Sequence, residues 1–112
     1  MTSIIISSEI KISKTRSLWF RVDKDTNTYG KGTCYTVTAD LTEEGTVVRE
    51  SESKFKSLEK AYGRYTDYLC GFYPLEFKEL NEYEDSRGFV WVSNIIKKEN
   101  EKYERNYNIL CN

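Results

Sequence analysis

The chain has 112 residues, of which 38% are hydrophobic, 31% charged and 14% aromatic. This length is typical of one domain, and the aromatic content excludes an intrinsically disordered chain. The formal net charge is -1 and histidine is absent, which excludes Ser-His-Asp and Cys-His catalysis and the usual histidine-based zinc sites. We therefore expect a single globular domain over residues 1–112 that is not an enzyme.

The first half of the chain alternates apolar and polar residues, a pattern that predicts β-strands. Three stripes lie at residues 10–12, 18–22 and 35–41, the first after an apolar run at residues 4–6. Glu43-Glu44-Gly45 is a turn signal, and residues 46–51 predict a fourth strand after it.

An amphipathic helix is predicted next. Ser57 is its expected N-cap, Leu58 its first residue and Gly71 its left-handed C-terminal residue. Gly63 lies inside this helix, where glycine costs about 1 kcal/mol relative to alanine. We therefore expect a close packing contact at Gly63.

The remainder of the chain leaves two alternatives open. The segment 74–84 predicts either a short helix that begins at Pro74 or an acidic loop. The run 89–96 predicts a buried strand. Alternation over 103–111 favours a final strand in a hairpin, with a terminal helix as the alternative.

Together these elements predict an α+β fold. We expect a single domain with an antiparallel β-sheet of about five to six strands and one main amphipathic helix packed on one face. The three cysteines, Cys34, Cys70 and Cys111, are far apart and predict reduced thiols rather than a disulfide framework or zinc site. No targeting or membrane-spanning segment is visible, so a cytoplasmic protein without cofactor or metal is expected.

Carboxylates are concentrated between residues 76 and 85. At this density they repel one another, so they must stay solvated or meet a basic partner. With neighbouring tyrosines, which are enriched in binding hot spots, they predict a partner-binding surface. Its residues are Glu76, Glu79, Glu82, Tyr83, Glu84 and Asp85, with Tyr65 and Tyr68 from the helix.

A second candidate surface is basic. Lysines and arginines interleaved with an exposed aromatic residue can follow phosphates and stack on bases. This alternative, a nucleic-acid-binding module, uses Lys11, Arg16, Trp19, Arg21 and Lys31.

The favoured interpretation is a small non-catalytic protein that binds and modulates, or inhibits, another macromolecule with a basic surface. The abundance of Lys, Asn, Ile, Tyr and Glu is typical of low-GC genomes, in which phage and mobile-element accessory and anti-defence proteins are often of this size. A third hypothesis is a homodimer that pairs through the final strand, residues 103–111.

Overall fold

An antiparallel sheet is built by the first half of the chain. The computed structural model describes residues 2–26 and 32–111, with side chains as far as residue 103. The strands are β1 (Thr2–Lys11), β2 (Arg16–Thr26), β3 (Thr33–Glu43) and β4 (Thr46–Phe55), and they pair in the order β1-β2-β3-β4. The α+β class is confirmed, but the described residues form four strands rather than five or six, and two α-helices rather than one main helix.

The β3–β4 hairpin contains both a tight turn and a β-bulge, which together set the register of these two strands. Glu44 and Gly45 both have positive φ, 51° and 82°, as a two-residue turn of the primed type requires. This turn pairs Glu43 with Thr46. A β-bulge at Leu41 and Thr42 then shifts the register by one residue, which places Asp40 opposite Glu50 and Thr38 opposite Glu52.

One face of the sheet is apolar. Leu18, Phe20 and Val22 of β2 lie opposite Leu41, Ala39 and Val37 of β3. All six are at most 1% exposed, so they form the centre of a hydrophobic core. We call the opposite side, with Trp19 and Arg21, the polar face.

Helix α1 (Leu58–Cys70) begins where the sequence predicts. The Ser57 hydroxyl accepts a hydrogen bond from the Lys60 N–H at 3.4 Å. The first turns lie against the apolar side of the sheet, because Tyr65 and Ser8 share a hydrogen bond and Arg64 donates to the Ser53 hydroxyl at 3.2 Å. The close contact expected at Gly63 is wrong, since a Cβ there would meet no atom within 4 Å.

Gly71 follows α1 with φ 76°, as predicted. A second constraint acts on it, because a Cβ at Gly71 would lie 2.5 Å from Ser93 Oγ. This position therefore requires glycine for both its conformation and its space.

The second half of the chain is helical where strands were expected. Residues 78–83 form a 3-10 helix (Lys78–Tyr83), and α2 spans Val92–Cys111. The predicted strand at 89–96 and the predicted final strand at 103–111 are therefore wrong, and the helical alternative holds for 103–111. An edge-strand dimer through 103–111 loses its structural basis.

The chain divides into two compact units, Met1–Thr66 and Asp67–Asn112. In the second unit, Leu75 N–H donates to the Val90 carbonyl at 2.7 Å and ties the two ends of the 75–90 segment together. Leu80, Val92 and Ile95 are fully buried there. The expectation of a single domain stays a prediction.

Candidate functional site

The acidic segment around the 3-10 helix has an exposed side and a buried side. Leu75, Phe77 and Leu80 are at most 5% exposed. Four glutamates of the same segment are exposed, two between these apolar residues and two after them. We call them the acidic ridge: Glu76, Glu79, Glu82 and Glu84.

Tyr83 does not belong to this exposed surface. It is 2% exposed, and its hydroxyl donates to Glu99 Oε1 at 2.7 Å. Lys98 lies over its ring, 5.4 Å from the centroid. The prediction that Tyr83 is exposed for a partner is wrong, and its role here is to anchor the ridge.

Asp85 is also occupied within the protein. Its Oδ2 accepts from Trp91 Nε1 at 2.8 Å and from Arg87 Nη2 at 3.0 Å. Its Oδ1 accepts from the backbone N–H groups of Arg87 and Phe89 at 2.8 and 3.1 Å. The bond from Trp91, with those from Phe89 and Arg87, holds the pKa of Asp85 well below its usual range. This carboxylate organises the 85–91 turn.

The two helix tyrosines are buried as well. Tyr65 is 4% and Tyr68 is 3% exposed. Tyr65 bonds to Ser8, and the Tyr68 ring packs edge-on against Tyr73 with centroids 5.3 Å apart. Their predicted exposure to a partner is wrong, because an amphipathic tyrosine buries its ring when its hydroxyl finds a partner or water.

The polar face of the sheet carries a second acidic cluster, which the sequence reasoning missed. Strand register places its residues in two adjacent rows that cross all four strands. One row is Glu9, Trp19, Asp40 and Glu50. The next is Ser7, Arg21, Thr38 and Glu52.

Arg21 is the centre of this cluster. Its Nε donates to Asp23 Oδ2 at 3.0 Å and its Nη1 donates to Asp40 Oδ2 at 2.8 Å. The hydrogen bond to Asp23, with the charges of both aspartates, raises the pKa of Arg21. The guanidinium therefore stays charged and bridges β2 to β3.

The cluster retains unused hydrogen-bonding capacity. Among the described residues, three buried side-chain oxygens have no hydrogen-bond partner, namely Asp23 Oδ1, Thr38 Oγ1 and Asp40 Oδ1. Their residues are 7%, 0% and 4% exposed. Asp40 also lies beside Glu50 and raises the pKa of that exposed glutamate. Unpaired buried oxygens are rare in folded proteins and call for an explanation.

The structure does not bring the predicted nucleic-acid-binding residues together as a basic surface. Trp19 and Arg21 share the polar face, but carboxylates of β1, β3 and β4 surround them. Arg16 has the strand parity of Leu18, which places it on the other side of β2. Lys11 is exposed at the end of β1, and Lys31 lies outside the described residues.

Other kinds of site can be checked within the described residues. No group of three or more His, Cys, Asp or Glu side chains there is placed to hold one metal ion. No helix in that part of the chain has the length and apolar character needed to cross a bilayer. The chain matches no protein-family model, no curated protein and no solved structure.

Proposed function

We propose that this protein is a non-catalytic interaction protein that binds and modulates a macromolecule with a basic surface, through the acidic ridge. The observation that carries the proposal is the separation of the two sides of the 75–84 segment. Its apolar residues are buried while its four glutamates are exposed.

This arrangement supports binding because the backbone beneath the carboxylates is held in place. Tyr83 is bonded to Glu99, and Asn94 Nδ2 donates to the Tyr83 carbonyl at 3.3 Å. A partner that binds to a pre-ordered surface loses less conformational entropy on association. The four glutamates outnumber the exposed Lys78 in this segment, and an excess of charge of one sign also accelerates encounter with a partner of the opposite sign.

The proposal extends to the biological class. A small acidic binder that covers a basic surface is suited to blocking a protein that normally holds nucleic acid. Small single-domain proteins are frequent among the accessory and anti-defence proteins of phages and mobile elements, and we propose an inhibitory role of that kind.

The test is a tagged pull-down from native host lysate, with nuclease treatment and quantitative mass spectrometry. Three baits are compared: wild type, a ridge variant with Glu79, Glu82 and Glu84 changed to lysine, and a control with Glu44, Glu59 and Glu101 changed to lysine. The two variants have the same net charge. Circular dichroism checks that each is folded.

We expect a stoichiometric protein partner that survives nuclease, binds wild type and the control, and is lost with the ridge variant. Equal recovery with the ridge variant would contradict the proposal. Recovery that collapses after nuclease treatment would contradict it in favour of a nucleic-acid-binding function.

A further inference from the structure

We propose that the polar face of the sheet is a second binding surface that takes an arginine side chain from a basic protein segment between Trp19, Asp40 and Glu50. This inference rests on the proposed function in one respect, the basic character of the partner. It uses different residues, so the two can fail independently.

The first support is the charge of the two central rows. They contain the carboxylates of Glu9, Asp40, Glu50 and Glu52 against one guanidinium, that of Arg21. Glu9, Glu50 and Glu52 are exposed. A basic segment that crosses the strands would meet carboxylates on three of them, whereas a phosphate backbone would be repelled.

The second support is independent of charge counting. Asp40 is 4% exposed, yet its Oδ1 has no hydrogen-bond donor, and Thr38 Oγ1 beside it is also unpaired. Arg21 donates a hydrogen bond only to the other oxygen of Asp40, Oδ2. Because this oxygen is buried, an incoming N–H donor must displace a covering side chain to reach it. The donor would then satisfy an oxygen that the described residues leave unpaired, which is a favourable contact in a low-dielectric site.

The third support is the aromatic neighbour. Trp19 lies directly opposite Asp40 in the β2–β3 register and is 39% exposed. Side chains directly opposite each other in an antiparallel pair have Cβ atoms about 4.5–5.5 Å apart. A planar guanidinium can therefore stack on the indole while its N–H groups reach a carboxylate, a combination that arginine satisfies better than lysine.

The test is an NMR titration of the full-length ¹⁵N-labelled protein at low ionic strength. The probe is the peptide acetyl-Gly-Arg-Gly-Arg-Gly-Arg-Gly-amide. Its control replaces each arginine with citrulline, which keeps the shape and removes the charge. Spermidine and a single-stranded oligonucleotide form two further arms.

We expect the arginine peptide to cause saturable shifts at the Trp19 indole N–H and the Thr38 and Asp40 amides, with the Trp91 indole unchanged. Glu50→Gln and Trp19→Leu are each expected to weaken the affinity by about five- to tenfold. Glu59→Gln removes an equal charge from α1 and is expected to change the affinity by less than about twofold. Glu50 is exposed on an edge strand, so its variant keeps the test valid if Trp19→Leu fails to fold.

Several outcomes would overturn the inference. One is the absence of saturable shifts at Trp19. Another is that the citrulline peptide binds as tightly as the arginine peptide. A third is that Glu50→Gln and Glu59→Gln lower the affinity for the arginine peptide equally. Spermidine that binds as tightly as the peptide would indicate a general polycation site, and shifts at Trp19 with the oligonucleotide would indicate nucleic acid. Each leaves the acidic ridge and its pull-down test unaffected.

Discussion

Asp40, a buried carboxylate, and Asp85, a half-buried one, have similar neighbours and different hydrogen bonding. Each bonds to an arginine and has a tryptophan next to it: Arg21 and Trp19 for Asp40, Arg87 and Trp91 for Asp85. Asp85 accepts five hydrogen bonds from Arg87, Phe89 and Trp91. Asp40 keeps one buried oxygen without a partner.

Hydrogen bonding therefore separates a structural carboxylate from one that can bind a ligand. When both oxygens of a carboxylate accept hydrogen bonds from the protein, little acceptor capacity remains for a ligand. Removal of that carboxylate leaves its donors unpaired and destabilises the fold. A carboxylate with an unpaired oxygen contributes less to stability, and it gains a hydrogen bond when a ligand supplies a donor. Residue type alone does not distinguish the two.

The largest effect is expected from Asp85→Ala. The substitution leaves the Trp91 indole, the Arg87 side chain and two backbone N–H groups without their acceptor, so the variant should show the greatest loss of stability in this series. Urea unfolding gives the free energy, and hydrogen exchange at the Arg87 and Phe89 amides localises the loss. Glu84→Ala, at the exposed neighbouring carboxylate, is the control and should unfold like wild type.

The structural role of Asp85 also predicts a dependence of local stability on acidic pH. The pKa of Asp85 is lowered in the folded state, so its stabilisation is present above the ordinary aspartate pKa and is lost as the pH falls through the folded value. Exchange protection of the Arg87 and Phe89 amides should therefore decrease at strongly acidic pH. Asp85→Asn should remove this dependence. The same dependence in Asp85→Asn and wild type would show that other carboxylates cause it.

Asp40→Asn is expected to have a smaller effect on stability. It removes one charged partner of Arg21, but Asp23 still holds the guanidinium and the repulsion between Asp40 and Glu50 disappears. We expect a loss of about 1 kcal/mol or less in urea unfolding. A loss as large as that of Asp85→Ala would show that Asp40 is a structural group.

The smallest effect is expected at Glu50, with a pH dependence of opposite sign. The pKa of Glu50 is raised by Asp40, so its contribution to stability is complete below the ordinary glutamate pKa and is lost as the pH rises through the folded value. Glu50→Gln should therefore stabilise the protein at pH 7 by about 0.5 kcal/mol or less and leave it unchanged at acidic pH. Paired urea titrations at the two pH values check this.

Local sequence signals predicted the elements whose determinants are local. The period-2 stripe of Leu18, Phe20 and Val22 identified β2, and Ser57 and Gly71 marked the ends of α1. The run 89–96 misled because a continuous apolar stretch is compatible with both a buried strand and a buried helix. The prediction of a strand at 103–111 was wrong because tyrosine and isoleucine, which favour strands, also occur within helices such as α2.

The polar face was missed because its members come from different strands. The sequence around Trp19 and Arg21 contains further basic residues, and this local pattern predicts a basic surface. The carboxylates that surround them are Asp40, Glu50 and Glu52, which join only through strand register. The turn at 43–45 alone would pair Asp40 with Arg49, and only the β-bulge in this hairpin brings Glu50 opposite Asp40. The local pattern therefore could not reveal the cluster.

The most direct test of the account compares Asp40→Asn with Asp85→Asn in two assays, urea unfolding and affinity for the arginine peptide. We expect a crossed result, in which Asp40→Asn weakens peptide affinity and nearly preserves stability, whereas Asp85→Asn lowers stability and preserves affinity in its folded fraction. If Asp40→Asn left the affinity unchanged, or if both variants lost stability and affinity in parallel, the distinction between a structural and a binding carboxylate would be contradicted.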